Sequence, residues 1–505
     1  MSFLLGIDIG TSGTKTVLFD EVGNTIASSL KEYPLYQPHS LWAEQKPEDW
    51  WDAVASTIKD VLLKSGVKNT EIKGLGLSGQ MHGLVLLDKA GKVLRPSIIW
   101  CDQRTQEECD DITSIIGRER LIEITANPAL TGFTASKIMW VKKHEPEIYD
   151  KTAKILLPKD YIRYMLTGEF AAEVSDASGM QLLNIAERNW SDEVLDKLKI
   201  DRALLAPVYE SQEVTATVNS YAAELTGLKV GTPVVGGAGD QAAGAVGNGI
   251  VKAGIVSSTI GTSGVVFAHT DKVTIDKKGR VHTFCHAVPN TWHVMGVTQG
   301  AGLSLKWFRD NFCSQEKETA RLMDVDVYEL MNKAAANAVP GCEGLIYLPY
   351  LMGERTPHLD PYAKGVFFGL SARQGKNEML RAVMEGVGYS LTDCLDIITE
   401  MGIPVGEVRA SGGGGKSKLW RQIQADMFNT EVVTINSSEG GALGVAILAA
   451  VGTGIYSSVE EACSAIIKPV TNQKPILENV PTYNKYHKVY KDLYTSLKPQ
   501  FDAIK

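Results

Sequence analysis

The chain contains one short pattern twice, about 250 residues apart. The sequence IDIGTSG occupies residues 7–13, and STIGTSG occupies residues 258–264. In both places an apolar run leads into a Gly-Thr-Ser-Gly turn and a second apolar run leads out. Two apolar runs joined by a tight, glycine-rich turn predict a β-hairpin. The repeat of the whole unit predicts one such hairpin in each half of the chain.

Each predicted hairpin turn is suited to binding an anion. Glycine allows positive φ in the turn, successive backbone N–H groups can then converge on an anion, and Thr and Ser hydroxyls add donors. We therefore predict that the two turns clamp a polyphosphate, although glycine turns also occur without a ligand. For Lys15, a phosphate contact and a strand lysine that simply faces solvent are equal alternatives. The predicted phosphate contacts are Gly10, Thr11, Ser12, Thr14 and Lys15 in the first hairpin, and Gly261, Thr262 and Ser263 in the second.

Length and composition favour a multi-domain globular protein without a charged macromolecular partner. The chain has 505 residues, 44% of them hydrophobic, and a net charge of −8. A chain of this length is too long to fold around a single hydrophobic core. Its net negative charge argues against nucleic acid or an anionic membrane surface as the partner. Asp8 interrupts the first apolar run, so we expect no signal peptide. Seven cysteines without a Cys-x-x-Cys pair fit a reducing cytoplasm, and a homodimer is left open.

Strand-like and helix-like segments alternate, which predicts an α/β layer fold. Helices are expected over residues 47–64 and 418–428, and a last helix is expected near 483–503, which could pack back across the domains. A glycine-dense stretch ends just before the second hairpin. The predicted domains are therefore residues 1–248 and 249–505.

Asp8 lies in the first predicted strand, just before the turn. A carboxylate there would repel bound phosphates unless a cation lies between them. Mg²⁺, which prefers oxygen ligands and keeps several waters, is the expected mediator.

Asp240 follows a buried strand and a run of glycines, and a helix of small residues is predicted to begin there. Gly237, Gly239 and Ala242 imitate a dinucleotide-binding fingerprint, but residues 241–270 contain no acidic residue to hold a ribose. Asp240 is expected both to cap the helix and to act as a base toward a substrate hydroxyl.

A second glycine run, residues 411–415, is predicted to form a turn between a strand and a helix. With the following lysine it nearly matches a Walker A loop, but Ala410 stands where that loop needs glycine. We expect this turn instead to let adenine and ribose lie against the backbone of Gly413, Gly414 and Lys416.

Two polar loops follow strands in the first half and are candidates to bind a polyol. Taken singly, each has a structural alternative: His82 could cap a turn, Trp100 could fill core, and Asp102 could pair with Arg104. No further cation is apparent beside Arg104 in these loops, so an uncharged polyhydroxy substrate is expected. The predicted substrate contacts are Gln80, Met81, His82, Trp100, Asp102, Asp240 and Gln241.

A histidine-rich segment, with His282, Cys285, His286 and His293, has metal-ligand residue types but no structural zinc spacing. Paired strands are the favoured interpretation there, and a metal is disfavoured.

The motifs at residues 8–11, 239–240, 261–263 and 412–415, in this order, resemble the actin-like ATPase fold and in particular the FGGY family of carbohydrate kinases. Residues 132–141 and 365–370 resemble the two signatures of that family. The resemblance implies two ribonuclease-H-like domains with an interdomain cleft that closes over ATP, Mg²⁺ and a sugar. It further implies that Asp240 is the catalytic base and that Asp8, with Asp240, lies at the metal.

Within the family, residues 41–45, 79–83, 157–161 and 353–358 are most similar to the members that phosphorylate D-xylulose. The resemblance therefore implies ATP-dependent phosphorylation of the 5-hydroxyl of D-xylulose, with Met81 and His82 on the sugar. One departure is Gln241, where many of those members carry Asn and glycerol-phosphorylating members carry Gln. The alternatives are a kinase for gluconate, ribulose or glycerol, an actin-like ATPase acting as a chaperone or filament, and a sugar-sensing regulator.

Overall fold

The computed structural model describes residues 2–504, and two seven-stranded sheets, one in each half, organise that range. The strands of the first half are Phe3–Ile9 (β1), Gly13–Asp20 (β2), Thr25–Glu32 (β3), Glu44–Gln45 (β4), Ile72–Gly79 (β5), Val85–Leu87 (β6), Ser97–Ile98 (β7), Lys154–Leu156 (β8), Ala172–Glu173 (β9), Leu183–Asn184 (β10), Asn189–Trp190 (β11), Val208–Tyr209 (β12), Val214–Thr217 (β13), Pro233–Val235 (β14) and Ala238–Gly239 (β15). Its helices are Pro47–Ser65 (α1), Gln106–Ile116 (α2), Arg118–Thr125 (α3), Thr134–His144 (α4), Pro146–Lys151 (α5), Pro158–Thr167 (α6), Val174–Ala177 (α7), Asp192–Leu198 (α8), Ser220–Thr226 (α9) and Asp240–Gly247 (α10).

The second half has its own set of elements. Its strands are Gly254–Ile260 (β16), Gly264–Thr270 (β17), His282–Cys285 (β18), Trp292–Thr298 (β19), Ile346–Leu348 (β20), Val366–Phe368 (β21), Val405–Ser411 (β22), Glu431–Ile435 (β23) and Pro469–Gln473 (β24). Its helices are Ala301–Phe312 (α11), Ser314–Met323 (α12), Val327–Ala336 (α13), Lys376–Glu400 (α14), Gly412–Gly415 (α15), Lys418–Phe428 (α16), Gly440–Gly452 (α17), Val459–Ile466 (α18) and Val480–Ala503 (α19).

The two large sheets share one strand order. The first runs β3-β2-β1-β5-β14 and the second runs β19-β17-β16-β22-β23. In each, three antiparallel strands are followed by two parallel strands reached through longer connections. The second sheet differs in that β18 lies between β17 and β19 in the sequence and pairs with β19 at the edge. The duplication seen in the sequence is therefore a duplication of the fold, and the predicted pair of ribonuclease-H-like α/β domains is confirmed.

Helices cover both faces of the first sheet. On one face, α1 packs against β2 and β3 and buries Trp50, Val54, Ile58 and Val61. Its limits follow from local chemistry, because Pro47 occupies the first turn and Gly66 ends the helix in the left-handed conformation.

The other face of the first sheet is covered by α17, a helix from late in the chain that packs on β1, β5 and α10. The approach is close enough to require glycine: a Cβ at Gly6 would lie 1.9 Å from the Ala442 carbonyl oxygen. A Cβ at Gly444 would likewise lie 1.9 Å from the Ala243 carbonyl oxygen. A division at residue 248 thus assigns α17 to the second domain by sequence, although it packs against the first.

The prediction that the last helix packs back across the domains is wrong. Helix α19 packs against α16 and β20, and its buried residues belong to the core of the second half. The crossing is made by α17, the most apolar late segment, which is buried along most of its length. Within residues 2–504, no helix combines the length and apolar content needed to cross a membrane.

The glycine contacts of α10 predict a difference between two substitutions in that helix. A Cβ at Gly247 would lie 1.8 Å from the Gly440 carbonyl oxygen, whereas a Cβ at Gly244 meets no atom within 4 Å. We expect Gly247→Ala to lower the free energy of unfolding by about 1–3 kcal/mol through overpacking. Gly244→Ala, the matched control, should leave it unchanged or raise it by up to about 1 kcal/mol. Urea unfolding measures both, and equal effects would contradict the close contact between α10 and α17.

Candidate active site

Both predicted hairpins are present, and in each the first turn glycine donates a hydrogen bond across the turn, to the third residue after it in the first hairpin and to the second residue after it in the second. The Gly10 N–H donates to the Gly13 carbonyl at 3.0 Å, and the Gly261 N–H donates to the Ser263 carbonyl at 2.9 Å. The first joins β1 to β2 and the second joins β16 to β17.

The reason for the glycines differs from the prediction, because none of these four turn glycines adopts a positive φ. Gly13 and Gly264 are required by packing: a Cβ would lie 2.8 Å from the Lys31 carbonyl oxygen at the first and 2.6 Å from a Thr298 methyl carbon at the second. Gly261 has room instead, with its nearest atom at 3.7 Å, whereas a Cβ at Gly10 would lie tightly, 3.2 Å from the Gly13 carbonyl oxygen. The backbone at Gly261 is open to a ligand.

The first hairpin is tied to the predicted sugar-binding loops. The Thr11 hydroxyl accepts from the Trp100 indole N–H at 2.8 Å, and the Thr11 carbonyl accepts from the Gln45 amide at 2.7 Å. The Gln80 amide in turn donates to Gln45 at 2.7 Å. Three predicted site residues, Thr11, Gln80 and Trp100, are thus brought together, while Ser12 is exposed at the tip of the turn.

Two predicted phosphate contacts of the first hairpin need correction. Thr14 is fully buried in β2, so its hydroxyl is closed to a phosphate. The Lys15 ammonium lies 2.5 Å from the carboxylate of Glu439, just before α17. Lys15 therefore links the first hairpin to α17 and is neither a free phosphate ligand nor an unpaired surface lysine.

Asp8 is the penultimate residue of β1 and lies beside the N-terminus of α17. It accepts a hydrogen bond of 2.6 Å from the Ser78 hydroxyl, and a Cβ at Gly441 would lie 3.3 Å from its carboxyl carbon. Burial raises the pKa of Asp8, partly offset by the Ser78 hydrogen bond and the charge of Lys15. The positive end of the α17 dipole also favours an anion here.

Asp240 is the first residue of α10, at the end of β15. The N-cap is Gly239, without a side-chain cap, so the predicted capping role of Asp240 is wrong and its carboxyl is available for another role. Burial raises the pKa of Asp240 to about 7, and the charge of Asp8 adds to the increase. Since β15 pairs with β5 and β5 with β1, Asp240, Asp8 and the loop after β5 meet at one edge of the sheet.

Met81 connects the predicted sugar loop to Asp240. A Cβ at Gly239 would lie 2.9 Å from Met81 Cγ, so this side chain packs directly against the residue before Asp240. Gln241, half-buried, follows Asp240 in the first turn of α10.

His82 is held in an unusual conformation at the end of the same loop. Its φ of 69° is uncommon for a residue other than glycine, and its carbonyl accepts from Lys137 at 2.8 Å and from Thr134 at 3.1 Å. Burial, with the charges of Lys137 and Arg355, lowers the pKa of His82 to about 3. The ring is therefore neutral. Because Nδ1 lies 2.8 Å from the Gly179 carbonyl, Nδ1 carries the hydrogen and Nε2 is an acceptor.

Asp102 does not line the site as predicted. It is fully buried, and its oxygens accept from Arg104 Nη2 at 2.7 Å and from the Ala43 N–H at 2.6 Å. The Arg104 guanidinium also lies 3.5 Å over the Trp42 ring. The pairing of Asp102 with Arg104 is the correct alternative, and it fixes the loop from inside.

A cavity of 590 Å³ lies between the second hairpin and the glycine-rich segment. It is lined by Gly261, Thr262, Gly413, Gly414 and Lys416, which brings together both parts of the predicted nucleotide site. The predicted turn is instead a short helix, α15, entered through Gly412 at φ 73°. Side chains from α11 and α13 that the sequence did not indicate complete the walls, among them Lys306, Asp326, Tyr328 and Asn332.

A larger cavity of 840 Å³ lies elsewhere, along the end of α14, and is lined by Asp393, Glu400 and Lys491. It includes none of the residues of either hairpin, so the smaller cavity is the candidate nucleotide site.

The histidine-rich segment forms β18 and β19 as expected. His282 Nδ1 bonds Asn127 at 2.8 Å, His286 Nε2 bonds the Ile250 carbonyl at 2.9 Å, and the Cys285 thiol lies 3.8 Å from the Ile185 carbonyl. These side chains bind protein groups individually, so the packing interpretation is favoured.

Sequence reasoning missed two basic residues near His82. Lys137 is fully buried, donates to the carbonyls of His82 and Gly132, and has a pKa that burial lowers to about 7. Arg355 comes from the second half, and its charge acts on the His82 ring. Both lie in motifs that resembled the family, but their proximity to His82 depends on contacts that local patterns do not specify.

Comparison with known proteins gives full-length matches. The chain matches the N-terminal domain model of the FGGY family of carbohydrate kinases over residues 3–247 and the C-terminal domain model over residues 256–453. It is 40% identical to a xylulose kinase of Bacillus subtilis, covering 100% of this chain and 99% of that protein. It is 39% identical to a xylulose kinase of Escherichia coli, covering 98% and 99%. The crystal structure of ligand-bound xylulose kinase from Lactobacillus acidophilus is 27% identical, with a TM-score of 0.93 over 100% of both chains.

The open backbone at Gly261 predicts a variant that separates ligand binding from folding. Gly261→Ala should fold normally, because its Cβ has 3.7 Å to the nearest atom, but the methyl group should block close approach of a phosphate. We expect the affinity for ATP-Mg²⁺ to fall about tenfold or more. Gly406→Ala, which also has room in β22, is the matched control. Calorimetric titration measures both, and an unchanged affinity in Gly261→Ala would remove this hairpin from the phosphate clamp.

Proposed function

Because the chain belongs to the FGGY family of carbohydrate kinases, we propose that it transfers the γ-phosphoryl group of ATP to the 5-hydroxyl of D-xylulose. The observation that carries this proposal is the packing of Met81 against Gly239, which puts the loop of residues 80–82 and Asp240 in one site. The identity of 40% to a xylulose kinase over the whole chain supports the choice of sugar.

In this proposal Asp240 orients the sugar hydroxyl and accepts its proton. Its place at the start of α10, after a glycine, leaves room for a hydroxyl beside the carboxylate. The transfer transition state is loose, so alignment of the hydroxyl contributes most and the proton moves late. A pKa of about 7 lets the carboxyl both accept and release a proton near neutral pH.

The two hairpins bind the phosphates, with Gly10, Thr11 and Ser12 on one side and Gly261 and Thr262 on the other. The residues present fit Mg²⁺. Asp8 and Asp240 are two carboxylates whose pKa values are both raised and whose negative charges repel each other, so a divalent cation between them is favourable. Mg²⁺ held by Asp8 and Asp240 would supply the positive charge that offsets the phosphates. The N-terminus of α17 beside Asp8 adds to that positive potential.

The proposed enzyme is cytoplasmic. All seven cysteines are free thiols, and six of them are buried, which supports a cytoplasmic location. A homodimer stays a prediction.

Replacing Asp240 tests the role of the base. Asp240→Asn should lower kcat by about 10²–10⁴-fold while sugar and ATP still bind, because the amide cannot accept the proton. Asp192→Asn is the matched control, since Asp192 is also the first residue of a helix but is an exposed residue paired with Arg202. Steady-state kinetics with calorimetric binding measures both. A variant that keeps more than about a tenth of wild-type kcat would show that Asp240 is not the base.

The same residue predicts the pH dependence. Protonated Asp240 cannot accept a proton, so kcat/KM should fall as the pH drops through the pKa of about 7 and level off above it. A profile flat between pH 5 and 8 would contradict this assignment.

The substrate is tested by release of ADP over a panel of D-xylulose, L-ribulose, D-gluconate and glycerol. We expect D-xylulose to give the highest kcat/KM, because a site with fixed hydrogen-bonding groups rejects substrates that leave those groups unpaired. A faster reaction with gluconate, ribulose or glycerol would overturn the sugar assignment and leave the kinase. ADP release that no sugar accelerates would instead favour an ATPase of the same fold.

A further inference from the structure

Arg355 is a mostly enclosed cation without a protein partner. Its backbone N–H donates to Glu354 at 2.8 Å and its carbonyl accepts from Leu359 at 2.6 Å, but within residues 2–504 no hydrogen bond or ion pair reaches its guanidinium. The guanidinium nitrogens also do not belong to the buried side-chain atoms that lack a hydrogen-bond partner, so they remain accessible to a ligand. A charged group that gives up water without gaining a partner lowers stability, so five donors left free at such a position indicate a ligand.

The loop that carries Arg355 is fixed against the second sheet on the side facing His82. The Thr356 N–H donates to the Val297 carbonyl at 2.9 Å. Val297 belongs to the same apolar cluster as Phe133, whose ring lies 4.8 Å from that of His82. Arg355 thus reaches from the second half of the chain toward the sugar loop of the first.

The end of the site that Arg355 approaches is the one away from the base. Its loop is bonded to Val297, in the apolar cluster of the Phe133 ring that packs on His82, and burial together with the charge of Arg355 lowers the pKa of His82. Met81 contacts Gly239, beside Asp240, and His82 follows it in the chain. The order along the site is therefore Asp240, Met81, His82 and Arg355.

His82 and Arg355 together offer one acceptor and several donors. His82 Nε2 can accept a hydrogen bond from a hydroxyl, and the guanidinium can donate to an adjacent oxygen that has no hydrogen of its own. A terminal hydroxyl next to a carbonyl matches this pair, and a carboxylate would match the guanidinium still better.

We propose that Arg355 is a substrate-binding residue that recognises a carbonyl or carboxylate oxygen at the end of the open-chain substrate opposite the phosphorylated hydroxyl. The proposal rests on the proposed function, which makes the substrate a sugar. It also changes one expectation from the sequence, because a cation suited to an aldonate is present and comes from the other half of the chain. The site thereby distinguishes ketoses and aldonates from the corresponding polyols.

The test compares substrates that differ only at that end: D-xylulose with xylitol, and D-gluconate with D-glucitol. Arg355→Met removes the donors and keeps a side chain of similar length. We expect it to lower kcat/KM for D-xylulose at least about tenfold, mainly through KM, and to change that for xylitol by less than about threefold. KM for ATP should not change. Arg355→Lys keeps the charge, so it should restore kcat/KM for D-gluconate more fully than kcat/KM for D-xylulose.

The matched control is Arg280→Met. Arg280 lies beside the same loop, since its carbonyl accepts from the Thr356 hydroxyl, but its guanidinium pairs with Asp276 and Glu400. We expect no change in sugar preference in this variant. Because Arg355→Met breaks no protein contact, its unfolding midpoint should equal or exceed that of the wild type.

The outcomes separate this inference from the proposed function. If the wild type phosphorylates gluconate and not D-xylulose, the proposed sugar is wrong. The role of Arg355 is then tested by comparing D-gluconate with D-glucitol in Arg355→Met. If no sugar is phosphorylated, calorimetric binding of the same pairs decides. The inference would be overturned if folded Arg355→Met kept the wild-type ratio of kcat/KM, or of affinity, between the two substrates of a pair. A marked loss of stability in this variant would show a structural role and would also overturn it.

Discussion

The packing of α17 on the first sheet is the contact on which the site depends. The helix touches β1, which carries Asp8 near its end, β5, which leads into the sugar loop, and α10, which begins at Asp240. Each contact brings backbone against backbone through glycine, so any added side chain would move a strand or helix that carries a site residue. The relative positions of Asp8 and Asp240 are therefore set by a helix that contains neither.

This arrangement concentrates unfavourable charge. Asp8 and Asp240 are both desolvated, and the charge of Asp8 adds to the raised pKa of Asp240, although the helix N-terminus beside each carboxylate offsets part of this cost. Arg355, on the other side of the site, is a cation without a partner. Groups arranged in this way lower the stability of the empty protein and are relieved by ligands of opposite charge, which is a common cost of a binding site.

Local patterns predicted the local parts of the structure. The hairpins, the limits of α16 and the start of α1 could be predicted, because turn residues, apolar periodicity and a first-turn proline act over a few residues. The position of Asp240 was predicted correctly but its capping role was not, because the helix begins at Asp240 itself, one residue earlier than if Asp240 were the cap.

Contacts between distant segments could not be predicted. The pairing of Lys15 with Glu439, the crossing of α17 and the approach of Arg355 to His82 all join residues hundreds of positions apart. Asp102 shows the same limit at short range: the residues suggested either a ligand contact or a pair with Arg104, and only the packing decided between them.

The late origin of α17 has a consequence for synthesis of the chain on the ribosome. The first sheet and α10 are complete once residue 247 has been made, but the helix that covers one face of that sheet ends at Gly452. At ordinary translation rates that interval lasts roughly 10–40 s. During it, the apolar face formed by β1 and β5 is open to water and to other nascent chains. The half of the protein that is made first therefore cannot complete its core until most of the second half has been made.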